Sequence, residues 1–312
     1  MIAQIERIME HETAGDPMTG LKWTRKTTKK IAKELKSVGI DISKNTVGRL
    51  LKNMKFSLRV NHKKICNGSS NDRDAQFKYI SKLRRLCEKK GHAIISVDAK
   101  KRELIGRFKN PGKAWNQEPE LTNDHDYPSL ASGVAILYGV YDDQHKDGSV
   151  FVGTSHDTAE FAVDSIERWW RYDGWKRYAD GGHLYILADG GGSNGSRPRV
   201  WKYHLQQKLC NRHGMTITVS HYPPGSSKWN PIEHRMFSAI SNNWAGIPLK
   251  SYETVLKYIR TTKTSACRKL KAYLIAKQYA TRQTISNEDV DDELFIQNHK
   301  KFPKWNYTLY PQ

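Results

Sequence analysis

The sequence predicts an α/β protein with a mixed sheet, preceded by a small all-α region, and three observations carry the prediction. From about residue 91 onward, short apolar runs of strand length alternate with amphipathic stretches of helical period. Ahead of them, residues 24–60 show helical periodicity only. The charge also changes along the chain: residues 21–90 carry 21 Lys and Arg against 5 Asp and Glu, whereas residues 91–312 carry 30 against 23. A basic module is therefore expected ahead of a more balanced domain.

In TTKKIAKELKSVG, Ile31, Ala32 and Leu35 recur at helical spacing after a Thr27/Thr28 start signal, and Gly39 suits the stop. In DISKNTVGRLLKNM, Ser43 is placed to cap a second helix whose buried stripe is Val47, Leu50 and Leu51. Lys44, Asn45, Arg49 and Lys52 are left on the outer face. Two helices joined by a glycine turn resemble a helix-turn-helix, in which the second helix enters the major groove and basic side chains hold phosphates. These four residues are the expected DNA contacts of residues 1–60. Two amphipathic helices and a turn also occur in helical domains that bind nothing.

Residues 61–90 run from a polar stretch into an amphipathic helix and are expected to form a basic helical connector. The strands HAIISVDAK, GVAILYGVYD and SVFVGTSHD follow, then a helix through TAEFAVDSIERWW, the strand HLYILADGG, a helix near RPRVWKYHLQQKL, the strand MTITVSHYPP and a helix starting at NPIEHRMFSAI. Three strands and then alternating helices and strands is the element order of the ribonuclease-H-like fold, expected over residues 91–250. Residues 251–312 are expected to be a helical extension and a polar tail.

A formal charge of +20 and a pI near 9.7 point to a polyanionic partner. No segment approaches the roughly 20 apolar residues of a membrane span, so no membrane partner is expected. MIAQIERIME has neither a basic start nor a signal-length apolar core, which makes the cytoplasm the default location. The four cysteines, Cys66, Cys87, Cys210 and Cys267, form no C-x-x-C pair, and no zinc site or disulfide is expected. His156, His183, His221 and His234 show no metal-ligand spacing, and G-x-S-x-G is missing.

The chemistry is carried by acids. Phosphodiester cleavage by a two-metal route needs carboxylates that converge on two cations roughly 3.5–4 Å apart. Asp98 follows the apolar run AIISV, where a charge is costly unless paired or bound to metal; pairing with Lys100, Lys101 or Arg102 is the structural alternative. Asp189 ends LYILA, where an α/β sheet presents its ligands. The following GGGSNGSR lacks the spacing and lysine of a nucleotide phosphate loop, and Asn194 within it is placed to contact the scissile strand. Glu233 lies in the first turn of a helix marked by Pro231, where it would also complement the helix dipole. Lys228 and Arg235 flank it as further DNA contacts, and Asp157 is expected to cap the helix after the third strand. The three acids, 91 and 44 positions apart, fall on the elements where a ribonuclease-H-like nuclease holds metal.

Longer strings carry a family likeness: GDPMTGLKWTRKTTKKIAKEL, NDRDAQFKYI, SVDAKKRELIGRFKNPGKAW, VGTSHDTAEFAVDSIERWW, LADGGGSNGSR, HYPPGSSKWNPIEHRMFSAISNNWAGIPL and KWNYTLYPQ. From about Gly15 to the C-terminus the chain resembles the Rhodopirellula-type DDE transposases, also called the Azo-thirteen insertion-sequence family. The resemblance implies Asp98, Asp189 and Glu233 as catalytic, metal-holding acids, with Mg²⁺ or Mn²⁺, two ions, as cofactor. It implies terminal inverted repeats and target double-stranded DNA as partners, and a bacterial, nucleoid-associated enzyme. Because two element ends must be held together, a homo-oligomer on DNA is expected. Ser226 stands where the family usually has Thr, and Met1–Ala14 is shorter than the family's usual leading segment, so a truncated end-recognition module is expected. The competing readings are a catalytically inactive DNA-binding derivative and a ribonuclease-H-like nuclease without strand transfer.

Overall fold

A computed structural model describes residues 2–10, 13–15, 22–24, 27–54, 56, 70–113, 118–125, 127–178, 182–196, 198–226, 229–283, 285 and 294–312. The chain divides into two units, Met1–Ile65 and Cys66–Gln312. In the first, α1 (Ile2–Glu10) is followed by a two-stranded ribbon of β1 (Thr13–Gly15) and β2 (Lys22–Thr24), then α2 (Thr28–Ser37) and α3 (Lys44–Asn53). The caps follow local chemistry: the Thr27 side chain accepts from the Lys30 N–H, and that of Ser43 from the Thr46 N–H. Gly39 turns the chain between the two helices at φ +83°, a conformation that favours glycine. Ile5, Ile31, Leu35 and Val47 are fully buried and make this unit's core. The sequence patterns did not single out α1 or the ribbon.

The second unit begins with α4 (Ser70–Lys89), followed by β3 (Ala93–Ile105), β4 (Gly133–Asp142) and β5 (Asp147–Gly153). Next, α5 (Ala159–Trp169) runs through a wide turn into the short α6 (Trp175–Arg177), and β6 (His183–Ala188), α7 (Arg199–Leu205) and β7 (Thr216–His221) follow. A wide helical turn, Glu233–Phe237, leads into α8 (Ser238–Asn243), and α9 (Tyr252–Thr261), β8 (Lys269–Ile275), β9 (Ile296–Asn298) and β10 (Asn306–Leu309) complete the chain.

The eight-stranded sheet has the order β8-β5-β4-β3-β6-β7-β10-β9. The meander β3-β4-β5 is antiparallel, and β6 and β7 extend it in parallel from β3, which is the ribonuclease-H-like arrangement. Ala93 through Asp98 are buried without alternation, as a central strand covered on both faces requires. One face packs Ile95, Val97, Tyr138 and Ile186 under α5 and α7. The other packs Leu137, Val150 and Val152 under the Glu233 helix and α9.

The amphipathic helix expected within residues 61–90 is α4, which lays Ile80 and Cys87 against Ile94, Tyr185, Leu187 and Tyr222 of the sheet; residues 61–69 lie outside the described residues. The C-terminal stretch differs from expectation. The expected helical extension holds one helix and three strands: β8 pairs in parallel with β5, and β10 antiparallel with β7. In KLKAYLI the buried Leu270 and Ala272 alternate with lysine, but Leu274 is exposed and Ile275 buried, which breaks the two-residue period, and β10 is only four residues long.

Two fully buried amides join α4 to β10. Gln76 Nε2 donates to Asn306 Oδ1 at 2.9 Å, Asn306 Nδ2 donates back to Gln76 Oε1 at 2.8 Å, and Gln76 Nε2 also reaches the His221 carbonyl at 3.0 Å. Asn306→Leu leaves the Gln76 amide half-paired in the interior and is expected to lower unfolding free energy by about 1–3 kcal/mol, read as a lower denaturant midpoint at unchanged slope. An unchanged midpoint counts against this amide pair.

Candidate active site

Asp98 lies on β3 opposite Gly139 of β4, just before the register of the two strands shifts between Lys100 and Glu103. Such bulges often re-aim side chains beside active sites. The Asp98 side chain is buried, and its Oδ1 accepts the Ala99 N–H at 2.8 Å. Burial, and then the charges of Asp189 and Glu233, push its carboxyl up to about 8; Asp157 adds to the shift from further away. The lysines that follow Asp98 do not pair with it: Lys100 binds Glu103 and stands over the Trp244 ring, 5.1 Å from its centroid, while Lys101 and Arg102 are exposed.

Asp189 follows the last residue of β6 and is half-buried. Its carboxyl is also raised, first by burial and then by Glu233, while the Gly191 N–H works against the shift. Its backbone is held by a chain of neutral donors. His221 is buried and driven down to about 4, so the ring is neutral; its Nδ1–H donates to the Asp189 carbonyl at 3.1 Å. The free Nε2 then faces the Tyr307 hydroxyl at 3.5 Å, and Tyr307 in turn accepts from Trp201 Nε1 at 2.9 Å. Beside Asp189, Gly190, Gly191, Gly192, Pro198 and Trp305 line a cleft of about 310 Å³.

Glu233 opens the wide turn Glu233–Phe237, a helical irregularity frequent at functional sites. Two contacts hold that turn to β3 and β4. Asn230 is fully buried, its Nδ2 donating to the Val97 carbonyl at 3.1 Å, and its own carbonyl accepts the Glu233 N–H at 3.2 Å. The second contact is close packing over Gly139, where an added Cβ would stand 2.5 Å from Met236 Cε and 2.7 Å from Ile232 Cδ1 and Phe237 Cζ.

Asp98, Asp189 and Glu233 are thus near enough for each to act on another's charge. Among the described residues, the three side chains whose ligand atoms all lie within 4.8 Å are Cys87, His92 and His183. Asn194 is 1% exposed, and its Nδ2 has no protein partner. Arg235 is committed to the buried Asp143 at 3.2 Å and stacks on Tyr141. Lys228 lies outside the described residues. On α3, Lys44, Asn45, Arg49 and Lys52 are all exposed. The cap of α5 is Thr158 rather than Asp157, with Thr158 Oγ1 accepting the Phe161 N–H at 3.2 Å. Tyr138 is a site neighbour that the sequence did not reveal. It is fully buried, its hydroxyl has no protein partner, and burial with the charges of Asp98, Asp157 and Asp189 raises its pKa well above the usual phenol range.

A family model described as the Rhodopirellula transposase DDE domain matches residues 4–311. The chain belongs to this family. It is a DDE transposase, an enzyme of the polynucleotidyl-transferase and endonuclease class. Among solved structures it is similar to the Mos1 transposase paired-end complex with left transposon end, at 15% identity over 83% of this chain and 69% of that one, TM-score 0.44. It is also similar to the catalytic domain of Mos1 mariner transposase, at 13% identity over 62% and 81%, TM-score 0.39. No curated protein sequence matches it.

Two outcomes follow from the geometry. An acid whose folded pKa lies near 8 against an unfolded value of about 3.9 binds its proton more tightly when folded, so its burial costs stability progressively as pH rises between those values. Without divalent cations the transposase is therefore expected to lose thermal stability from about pH 4 to pH 8, and Asp98→Asn to flatten that slope. A slope unchanged by the substitution contradicts the like-charge cluster. Gly139→Ala is expected to shift the Glu233 turn and slow DNA cleavage on the order of 100-fold, with an overpacking cost of about 1–3 kcal/mol; cleavage at the parental rate separates Gly139 from the placement of Glu233.

Proposed function

We propose that the chain is an insertion-sequence transposase that binds the ends of its element, cuts DNA there and joins the freed ends to a target, with Asp98, Asp189 and Glu233 as its catalytic acids. The carrying observation is Asp98, a buried carboxyl raised to about 8 by burial and two neighbouring acids. Like charges gathered in a partly buried site are unfavourable until protons or cations join them, and strongly perturbed acids concentrate where function is. The three acids offer hard oxygen donors only, which suits Mg²⁺ or Mn²⁺. Asp98, Asp189 and Glu233 would hold two, the number that a two-metal route of phosphodiester cleavage needs. When bound, such ions lower the pKa of the attacking water or 3′-hydroxyl and steady the leaving oxygen.

The chain's own side chains keep the acids in place and track the DNA. Asn230 fixes the Glu233 turn to β3, and His221 fixes the backbone of Asp189. Past Asp98, β3 borders a groove of about 840 Å³ whose lining includes Lys100, Lys101, Arg102, Lys109 and Trp244, cationic and aromatic groups suited to a phosphate backbone. The exposed face of α3 reads the element end through Lys44, Asn45, Arg49 and Lys52. Asn194 contacts the scissile strand once its loop opens, and Lys228 adds a phosphate contact. The Arg235 salt bridge favours an anchoring role over a DNA contact. Joining two ends calls for a homo-oligomer on DNA.

The deciding assay incubates the purified chain with a labelled inverted-repeat end, a target duplex and Mg²⁺ or Mn²⁺. The parent is expected to cut and join; Asp189→Asn is expected to bind comparably and do neither. Binding by both with cutting by neither identifies a DNA-binding derivative, cutting without joining identifies a nuclease, and cutting by Asp189→Asn removes that acid from the mechanism. Replacing Arg49 or Lys52 with Ala should each flatten the salt dependence of end binding by about one unit of log–log slope. Unchanged slopes place the DNA on another surface.

A further inference from the structure

Three metal-ligating side chains meet at the far end of β6 from Asp189. Cys87 comes from the last turns of α4, His92 from the turn before β3, and His183 is the first residue of β6. Sγ of Cys87 and one ring nitrogen of each histidine lie within 4.8 Å of one another. No finger-like spacing marks the trio in the sequence, because α4, the following turn and β6 bring it together only in the fold.

The surroundings resemble those of a ligand set. Cys87 is buried, and His92 Nδ1 is a buried atom with no partner. His183 Nε2 is held by Thr218 Oγ1 at 2.9 Å, and Thr218 is held in turn by Thr308 Oγ1 at 3.0 Å, which leaves His183 Nδ1 free. An imidazole fixed through one nitrogen, with the other free, is how metal centres orient their histidines. Burial lowers both histidines, His183 to about 4, so both rings are neutral at physiological pH, as ligands must be.

We propose that Cys87, His92 and His183 bind one ion of the zinc class, at a site separate from the catalytic acids. A thiolate with two imidazoles selects Zn²⁺ or Co²⁺ over Mg²⁺ or Mn²⁺, the reverse of the preference of three carboxylates. The rings of His92 and His183 stack, centroids 4.6 Å apart and planes 10° from parallel, so no point within bonding distance of both rings lies in both ring planes. Binding therefore turns one ring. His92 is the one that turns, because His183 is held by Thr218. The Cys87 thiol, raised to about 11 by burial, gives its proton to solvent as the sulfur–metal bond forms, and the ion replaces that proton. Lys90, whose charge acts on both rings, opposes the cation, and the thiolate offsets it. Once bound, the ion ties the end of α4 to the starts of β3 and β6, the two strands that carry Asp98 and Asp189.

The test titrates the full chain with Co²⁺ and follows thiolate-to-cobalt charge transfer in the near ultraviolet, a band that carboxylates cannot produce. The expected result is a saturable band that Zn²⁺ abolishes by competition, that is missing in Cys87→Ser, and that persists in Asp189→Asn. Thr218→Val is expected to weaken the cobalt affinity about 10- to 100-fold. If Cys87→Ser does not fold, His92→Gln, on a partly exposed turn, serves in its place and is expected to lose the band. A parent without the band, or a band that survives both Cys87→Ser and His92→Gln, overturns the site. Because the band is read without DNA and in the Asp189→Asn background, its failure is distinct from failure of the transposase reading.

Discussion

The structure is organised around an electrostatic constraint, a carboxyl buried on the central strand beside two more acids. The charges that act on Asp98 are those of Asp189, Glu233 and Asp157, all negative. Repulsion of this kind pushes side chains apart unless the scaffold holds them, so the supports of the site matter as much as the acids. β3 is paired on both sides. Asp189 is held through its backbone by a neutral imidazole, and Glu233 by an asparagine and by packing against a glycine. None of these supports is a cation, and the acids keep their repulsion.

The contrast with the other buried acids separates the two meanings that a buried charge can have. Asp143, at the end of β4, is as deeply buried as Asp98, yet Arg84, Arg235 and Ser96 all reach it. Asp142 is met by Arg177, Tyr178 and His145, and Asp173 by Lys271. Glu160 and Asp164 share Lys208 and Lys277, and those contacts hold the Glu160 carboxyl at about 2. Those acids are internal salt bridges that join helices to strands. Asp98 has no such partner among the described residues, although Lys100, Lys101 and Arg102 follow it directly. Lys100 is taken by Glu103, and Lys101 and Arg102 are exposed, which rules out the pairing alternative that the sequence left open.

How much of this was legible in the sequence depended on whether a signal was local. Caps at Thr27 and Ser43, the stop at Gly39, the core strands and the helix opening at Pro231 follow from neighbouring residues, and the structure has them. Asp98 and Asp189 stood out because each follows an apolar run, and Glu233 because Pro231 marks the first turn of its helix. The residues that hold them did not, because Gln76, His221 and Asn306 meet across up to 230 positions and carry no periodicity. Arg235 read as a DNA contact because a basic residue beside a candidate catalytic acid is ambiguous until Asp143 is seen beneath it. β8 was hidden by a broken two-residue period, β9 and β10 by short length, and α1 by an apolar stripe of Ile5 and the partly buried Ile8 alone.

The C-terminal residues therefore belong to the site. β10 lies beside β7 and supplies both Tyr307, which backs His221, and Asn306, which pairs with Gln76 beneath the His221 carbonyl. Since His221 in turn holds the Asp189 backbone, a line of buried hydrogen bonds runs from β10, next to the edge strand β9, to the second acid. Buried polar groups in such a line are satisfied only while every member is present, so loosening β10 leaves His221 and Gln76 short of partners and Asp189 less firmly held. A ribonuclease-H-like core needs only the five strands β3 to β7 to define its topology. In this chain β10, beyond that core, supplies the buried hydrogen bonds through which the backbone of Asp189 is held against the charge of its neighbours.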